Sequence, residues 1–498
     1  MKVGGVTVTP REMWAILLVM KIHRASPLEP DQATMVDMAN LVTQQVATFL
    51  TTLDSRPTHD RTVPEVEEKL AESFLSGPPE NGTPFASLMD QLGTAAESAI
   101  ESAGPRLMAA LPGGGLYSSA LAEFFTRALN RYGTLAAAAP ALTALEEGVL
   151  RWMAQDVCGL PPGSSGILTT GGSMANLSAV VTARHDRLGE DIGRGTIYVS
   201  EQAHYSVAKA ARIAGIRQQN VRMIPVAENL KMDLGLAAER IRADRSAGLR
   251  PFLLVATAGT TDTGAIDPLT DAGALADRED LWFHVDAAYG GFFRLTARGR
   301  ERTAGIERAD SVTLDPHKAL FLPFGTGALV VREPARLHAA HEGSAPALQD
   351  VGTSDALPDY AQRGIELSRE NRGVRVWLPL HLHGLSAFRD ALDEKLDLAG
   401  HIHSKLSAVP RLDVPWHPEL TAVAFAVRPR HPGATARRDA DAATRQLLDR
   451  INSDGRAMVH STTIAGRQLI RICVLAHRTH REHVDEVLDV ITAGTAEL

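Results

Sequence analysis

From residue 165 onward the chain alternates short apolar runs with helical patterns, and this alternation constrains the fold more than any other feature. The runs are GILTTGG (166–172), TIYVSE (196–201), VRMIPV (221–226), PFLLVATAG (251–259), LWFHVD (281–286), SVTLD (311–315) and GALVVRE (327–333). Between most of them lie stretches such as SMANLSAVVTARHDRL, SVAKAARIAGI and LGLAAERIRADRSAG, with apolar residues at helical spacing. Near-continuous apolar strands separated by helices predict a largely parallel sheet covered on both faces. Sheets of this kind bind ligands at the carboxyl ends of their strands. Those ends are therefore where chemistry is expected.

Other patterns flank this core. LPGGGLYSSALAEFFTRALN (111–130) opens with a Gly-rich turn and continues with Leu121, Phe124, Phe125 and Leu129 at helical spacing. PALTALEEGVLRWMAQDVCGL reads as a second helix with Leu142, Leu145, Val149, Leu150 and Met153 on one face. Beyond about residue 375, the stretch from Asp449 to Ile491 reads as helix, strand, strand, helix, and 428–446 as a solvated loop with a helix start. The expected fold is α/β: an N-terminal helical segment (1–110), a large domain with a mostly parallel central sheet (111–375) and a small C-terminal α+β domain (376–498). Residues 54–84 are polar, carry Pro57, Pro64, Pro78, Pro79 and Pro84, and read as connecting structure.

Charge and cysteine content narrow the setting. The formal net charge of −8 argues against nucleic acid and anionic membranes as partners. WAILLVM (14–20) is too short to span a bilayer and reads as a helix packed on the protein. Cys158 and Cys473 lie in apolar stretches, which favours buried thiols in a reducing cytoplasm. His381/His383 and His401/His403 are spaced by two with no evident third ligand, so no metal site is expected.

Two strand ends carry the chemistry. DSVTLDPHKAL (310–320) turns at Pro316 and places Lys318 just past a strand end, where an amine can form a Schiff base with a carbonyl. LWFHVDAAYGG (281–291) ends its apolar run in Asp286, and a buried carboxylate there needs a partner. A pyridinium nitrogen is such a partner, and pyridoxal phosphate requires one to act as an electron sink.

HVDAAYGG followed by DSVTLDPHK resembles the group II pyridoxal-phosphate-dependent amino acid decarboxylases, and the resemblance runs from about residue 100 onward. It implies a fold-type-I homodimer with active sites at the subunit interface, embraced by the N-terminal segments. It implies pyridoxal 5′-phosphate as cofactor, an amino acid as small-molecule substrate, and decarboxylation through a quinonoid. Lys318 then carries the cofactor and Asp286 the ring nitrogen. LTTGGSMAN (168–176) is, from its residues alone, either plain helix capping or an anion site at a helix N-terminus. The resemblance assigns the cofactor phosphate to Gly172 and Ser173. His204 is either a surface residue at a helix start or the imidazole stacked on the ring. Thr261 and Ala288 would border the cofactor, with His317 beside the lysine and Asp315 reaching the phosphate through backbone or water. Asp267 either caps a helix or supports the region around Asp286. Arg471 is expected to be structural.

The sequence departs from the family pattern in one loop. SAPALQDVGTSDALPDY (344–360) has Ala347 where the family's proton-donating tyrosine stands. That leaves His204, His317, Tyr360 or water as candidate donors. It also opens alternatives to simple decarboxylation: decarboxylation with oxidative deamination to an aldehyde, or another pyridoxal-phosphate-dependent lyase reaction; the non-enzyme alternative is a cofactor-binding pseudoenzyme subunit. Thr134, Leu135 and Ala136 stand where aromatic decarboxylases carry aromatic substrate contacts, which argues against an aromatic amino acid and leaves room for a bulkier or polar substrate, whose identity is not readable.

Overall fold

The computed structural model describes residues 2–3, 6–7, 28–58, 64–111, 113–343 and 357–498. WAILLVM (14–20) and Ala347 lie outside them. The chain forms two compact units, Met1–Ile100 and Glu101–Leu498.

The first unit is largely helical, with α1 (Gln32–Thr52), α2 (Pro64–Leu75) and α3 (Phe85–Glu97). Asp31 caps α1, its Oδ1 accepting from the Thr34 amide at 2.8 Å. The expectation that 54–84 is connecting structure is corrected by α2. Pro64 stands in the first helical position, where a missing N–H has no cost, so a proline read as a breaker is here a starter.

In the second unit, α4 (Tyr117–Leu129) and α5 (Pro140–Arg151) precede the large sheet. The sheet and its connections run β1 (Ser165–Thr169), α6 (Gly172–Leu188), β2 (Gly195–Ser200), α7 (Tyr205–Ile213), β3 (Val221–Ile224), α8 (Leu234–Ser246), β4 (Arg250–Thr257), α9 (Leu269–Arg278), β5 (Trp282–Asp286), β6 (Ser311–Leu314), α10 (Pro316–Ala319) and β7 (Gly327–Val331). The strand order is β1-β7-β6-β5-β4-β2-β3. All pairings are parallel except those of β7, which runs antiparallel to both β1 and β6. The sheet is thus mostly parallel, as the alternation predicts. Every residue of β1, β2, β5, β6 and β7 is buried, which is why these strands read as continuous apolar runs.

The small sheet, β8 (Leu412–Asp413), β9 (Ala422–Val427), β10 (His460–Ile464) and β11 (Arg467–Cys473), is antiparallel in the order β8-β9-β11-β10. Its core joins Phe425 and Ile470 to Leu447 of α12 (Ala436–Asp454) and Ile491 of α13 (Arg481–Ala496). A long helix, α11 (Gly373–Ser407), leads into this region and kinks at Gly384, whose φ is 74°.

Two apolar patterns resolve differently from their spacing. Leu121, Phe124, Phe125 and Leu129 do form one face of α4, but all four are exposed in this chain. On α5, Val149 and Leu150 are buried as expected, and so are Glu146 and Glu147. Glu146 pairs with Arg369 at 2.6 Å with neither side chain exposed, and Glu147 pairs with Arg363 at 3.2 Å. Burial of these carboxylates is tolerable because each has a guanidinium partner.

Candidate active site

The carboxyl ends of the parallel strands converge on one cavity of about 280 Å³. Lys318, Asp286, His204, Gly172, Ser173, Thr261, Ala288, His317 and Asp315 all line it. The register explains the convergence. Thr257 at the end of β4 pairs with Asp286 at the end of β5, and Asp286 pairs with Thr313 one residue before the end of β6. The chain then turns at Pro316 into one helical turn that carries Lys318.

The Lys318 Nζ lies 3.0 Å from Asp315 Oδ2, and His317 Nε2 lies 3.8 Å from the same oxygen. His317 Nδ1 donates to the Thr326 carbonyl at 2.6 Å, which fixes its ring. The Gly-rich turn before α4 packs behind this lysine turn. A Cβ at Gly113 would sit 2.4 Å from the His317 carbonyl oxygen, so only glycine permits the approach.

Asp286 is buried, and its carboxylate is held from two sides. Asn176 Nδ2 donates to Oδ2 at 2.9 Å and the Ala288 amide to Oδ1 at 3.1 Å. The α6 N-terminus opens on the same cavity and has no side-chain cap. Its first-turn amides and dipole favour an anion. Gly172 is packed against Asp315 and Ala288, where a Cβ would stand 2.9 Å from Asp315 Oδ2.

His204 caps α7, its Nδ1 accepting from the Ser206 amide at 3.3 Å, and also lines the cavity. His204 thus both caps a helix and faces the cavity. Burial keeps its pKa below the ordinary histidine value. Thr261 is placed by Arg471, whose Nη1 donates to the Thr261 carbonyl, so the arginine is structural as expected.

Asp267 does not cap α9 with its side chain. Its carboxylate accepts from the Thr257 amide at 2.8 Å and the Met232 amide at 2.7 Å, supporting the strand end beside Asp286. Burial pushes this carboxyl up to about 6, from an ordinary 3.8. The native state therefore binds the proton more tightly than the unfolded chain. The resulting stability is fully present below about pH 3.8 and is lost as pH rises through about 6. Two pKa units correspond to roughly 3 kcal/mol. Urea unfolding of wild type and Asp267→Asn should show their stability difference moving by roughly that amount, against wild type, between acid and neutral pH. A constant difference would show that Asp267 does not titrate in this range.

One candidate is removed. Tyr360 is fully buried outside the cavity, with the Arg369 guanidinium 4.8 Å from its ring centroid. It cannot donate a proton to a group in the cavity, because its surroundings are the buried Glu146/Arg369 cluster. Thr134, Leu135 and Ala136 are also buried and do not line this chain's cavity.

Asn176, Ser206 and Thr257 are among the lining residues that a sequence reading focused on strand ends does not single out. Thr257 is the last residue of β4, inside the run PFLLVATAG, whose end the sequence places at Gly259. Asn176 stands mid-helix, and its only sequence signal is a polar side chain on an otherwise small, buried helix face.

The donor set fits pyridoxal phosphate: an amine, a buried carboxylate and an uncapped helix N-terminus share one cavity. The buried Thr257 Oγ1 and Asp315 Oδ1 have no hydrogen-bond partner among the described residues, which leaves polar capacity for a bound group. Fold and site together define a fold-type-I pyridoxal-phosphate enzyme. The solved structure of Oryza sativa TDC with PLP and tryptamine superposes with a TM-score of 0.88 at 26% identity, covering 95% of this chain and 99% of that one. Residues 69–428 match the pyridoxal-dependent decarboxylase conserved domain. An aromatic-L-amino-acid decarboxylase of Bacillus atrophaeus is 31% identical over 90% of this chain and 92% of its own length. A 4-hydroxyphenylacetaldehyde synthase of Rhodiola rosea is 28% identical over 94% of this chain and 97% of its own length. The chain belongs to the pyridoxal-dependent decarboxylase family. It is an amino acid carboxy-lyase, and its cofactor is pyridoxal 5′-phosphate.

Proposed function

We propose that the chain removes the α-carboxylate of an L-amino acid as CO2 and releases the amine. The observation that supports this most is the convergence of Lys318, Asp286 and the α6 N-terminus on one cavity. When bound, pyridoxal phosphate supplies the electron sink for the pair left behind by CO2. The Lys318 amine is the group that would hold the cofactor covalently, since it is the lysine amine facing the cavity among the described residues. Asp286 keeps a proton on the ring nitrogen, and the buried donors on its two oxygens keep it aimed there. The amides at Gly172 and Ser173 take the phosphate. His204, Thr261 and Ala288 line the same cavity and would contact the bound cofactor. His317 braces the lysine turn, and Asp315 reaches the phosphate only through backbone or water, since its carboxylate would repel it.

Ala347 and the similarity to 4-hydroxyphenylacetaldehyde synthase support a second outcome, in which O2 diverts the reaction to an aldehyde. The exposed apolar face of α4 supports a homodimer with a composite active site, embraced by residues 1–110. Two buried thiols, neither in a disulfide, fit a reducing cytoplasm. Among the described residues no helix is long and apolar enough to cross a membrane.

A product screen by mass spectrometry tests the reading. Purified holoenzyme, its mass first measured by light scattering, is offered a panel of L-amino acids led by the aromatic ones, with and without O2. Amine formation under both conditions is expected, and Ala347→Tyr should raise amine over aldehyde. Aldehyde and peroxide alone from the native chain would replace the main reading with the second, and a single-chain mass would remove the dimer.

A further inference from the structure

The atoms around Asp286 form a hydrogen-bond chain whose direction can be read from its ends. A carboxylate only accepts, so the Asn176 Nδ2 at 2.9 Å from Asp286 Oδ2 is a donor, and the orientation of that amide is fixed. The Asn176 Oδ1 therefore accepts, from Thr313 Oγ1 at 2.7 Å and from His284 Nε2 at 3.1 Å. His284 carries its proton on Nε2, and burial lowers its pKa to about 4, so the ring is neutral and Nδ1 accepts. Its donor is Ser311 Oγ at 2.8 Å, which in turn accepts from Trp282 Nε1 at 2.8 Å. An indole nitrogen only donates, so the chain closes without conflict.

The second N–H of Asn176 points the other way, to Ser206 Oγ at 2.9 Å. Ser206 then has its own proton left for His204 Nδ1, 2.7 Å away. The Ser206 amide donates to the same nitrogen as the cap of α7. Two donors aimed at Nδ1 leave it only a lone pair.

We infer that Asn176, acting through Ser206, is a positioning residue that holds His204 as its Nε2–H tautomer and couples its placement to that of Asp286. The inference rests on the reading of His204 as the cover of the cofactor ring. A histidine in this form offers the cavity a hydrogen-bond donor and not a base. It can bind a substrate carboxylate or hold a proton near the reacting carbon, but it cannot remove one.

The test is made first on the apoprotein, labelled with 15N-histidine, by long-range proton–nitrogen correlation spectra. His204→Gln assigns the signal. Wild type should show His204 neutral, protonated at Nε2, with a midpoint below the ordinary 6.5 despite Asp286, Asp315 and Asp262 nearby, which oppose that shift, and Lys318, which favours it. Ser206→Ala removes one of the two donors, so the midpoint should rise or an Nδ1–H population appear, and Ser206→Thr should restore the wild-type pattern. In the loaded enzyme Ser206→Ala should lower kcat by up to about 100-fold with little change in KM, as expected for a misplaced group. Asn176→Leu is the more direct variant but leaves several buried groups unpaired, so the Ser206 pair carries the test. A wild-type His204 protonated at Nδ1, or a Ser206→Ala protein with unchanged tautomer and midpoint, overturns the inference. Borohydride fixation of the cofactor on the same preparation reports separately on the functional reading.

Discussion

Lys318→Ala protein, mixed with pyridoxal phosphate and reduced with borohydride, will carry no pyridoxyl label, whereas wild type will carry it at Lys318 alone. Turnover should fall by at least about 10²–10⁴-fold, the range for losing one positioned proton-transfer group, because the same amine also supplies covalent attachment. Among the described residues Lys318 is the one lysine that lines the cavity, and its Nζ is already oriented by Asp315 at 3.0 Å. A label recovered on another lysine, or a variant retaining turnover, would remove Lys318 from the site.

Asp286→Asn should keep the label and lose turnover. Asparagine preserves volume and can still accept from Asn176, so the fold and the covalent attachment should survive. What disappears is the negative charge that keeps the ring nitrogen protonated. A lost electrostatic stabiliser of this kind costs about 2.7–4 kcal/mol, or about 10²–10³-fold in kcat. Asp286→Ala should be at least as impaired, since it also strands the Asn176 N–H and the Ala288 amide. Near-wild-type turnover in both variants would mean that another group protonates the ring.

The parts of this site that were legible share a physical origin. An apolar run that ends in a charged or hydroxyl residue marks a strand leaving the core at the ligand-binding edge, and Asp286 and Lys318 announce themselves that way. His204 was legible only as one of two alternatives, because the same residue caps a helix and lines the cavity. Asn176 was not legible. Helical periodicity tells which face of α6 is buried but not which strands it meets, and its partners Asp286, His284 and Thr313 come from two strands far along the chain. The same limit hid the burial of Glu146, whose neutralising Arg369 lies more than 200 residues further on, and half of that of Glu147, which pairs with Arg151 on its own helix and with Arg363. Spacing alone also could not say that the apolar stripe of α4 stays uncovered in a single chain, nor that β7 runs against its neighbours.

That reversed strand has a consequence for how the protein comes into being. β1 sits at the edge of the sheet, and its one partner is β7, with Ser165 opposite Val331 and Thr169 opposite Gly327. The segment leading directly into the phosphate-binding turn thus has no seat until the ribosome has delivered residue 331. Contacts this distant in sequence form slowly and leave unpaired edges exposed in the meantime. Until then β1 has an open edge, and the phosphate-binding turn that follows it cannot be seated before the reversed strand has been made.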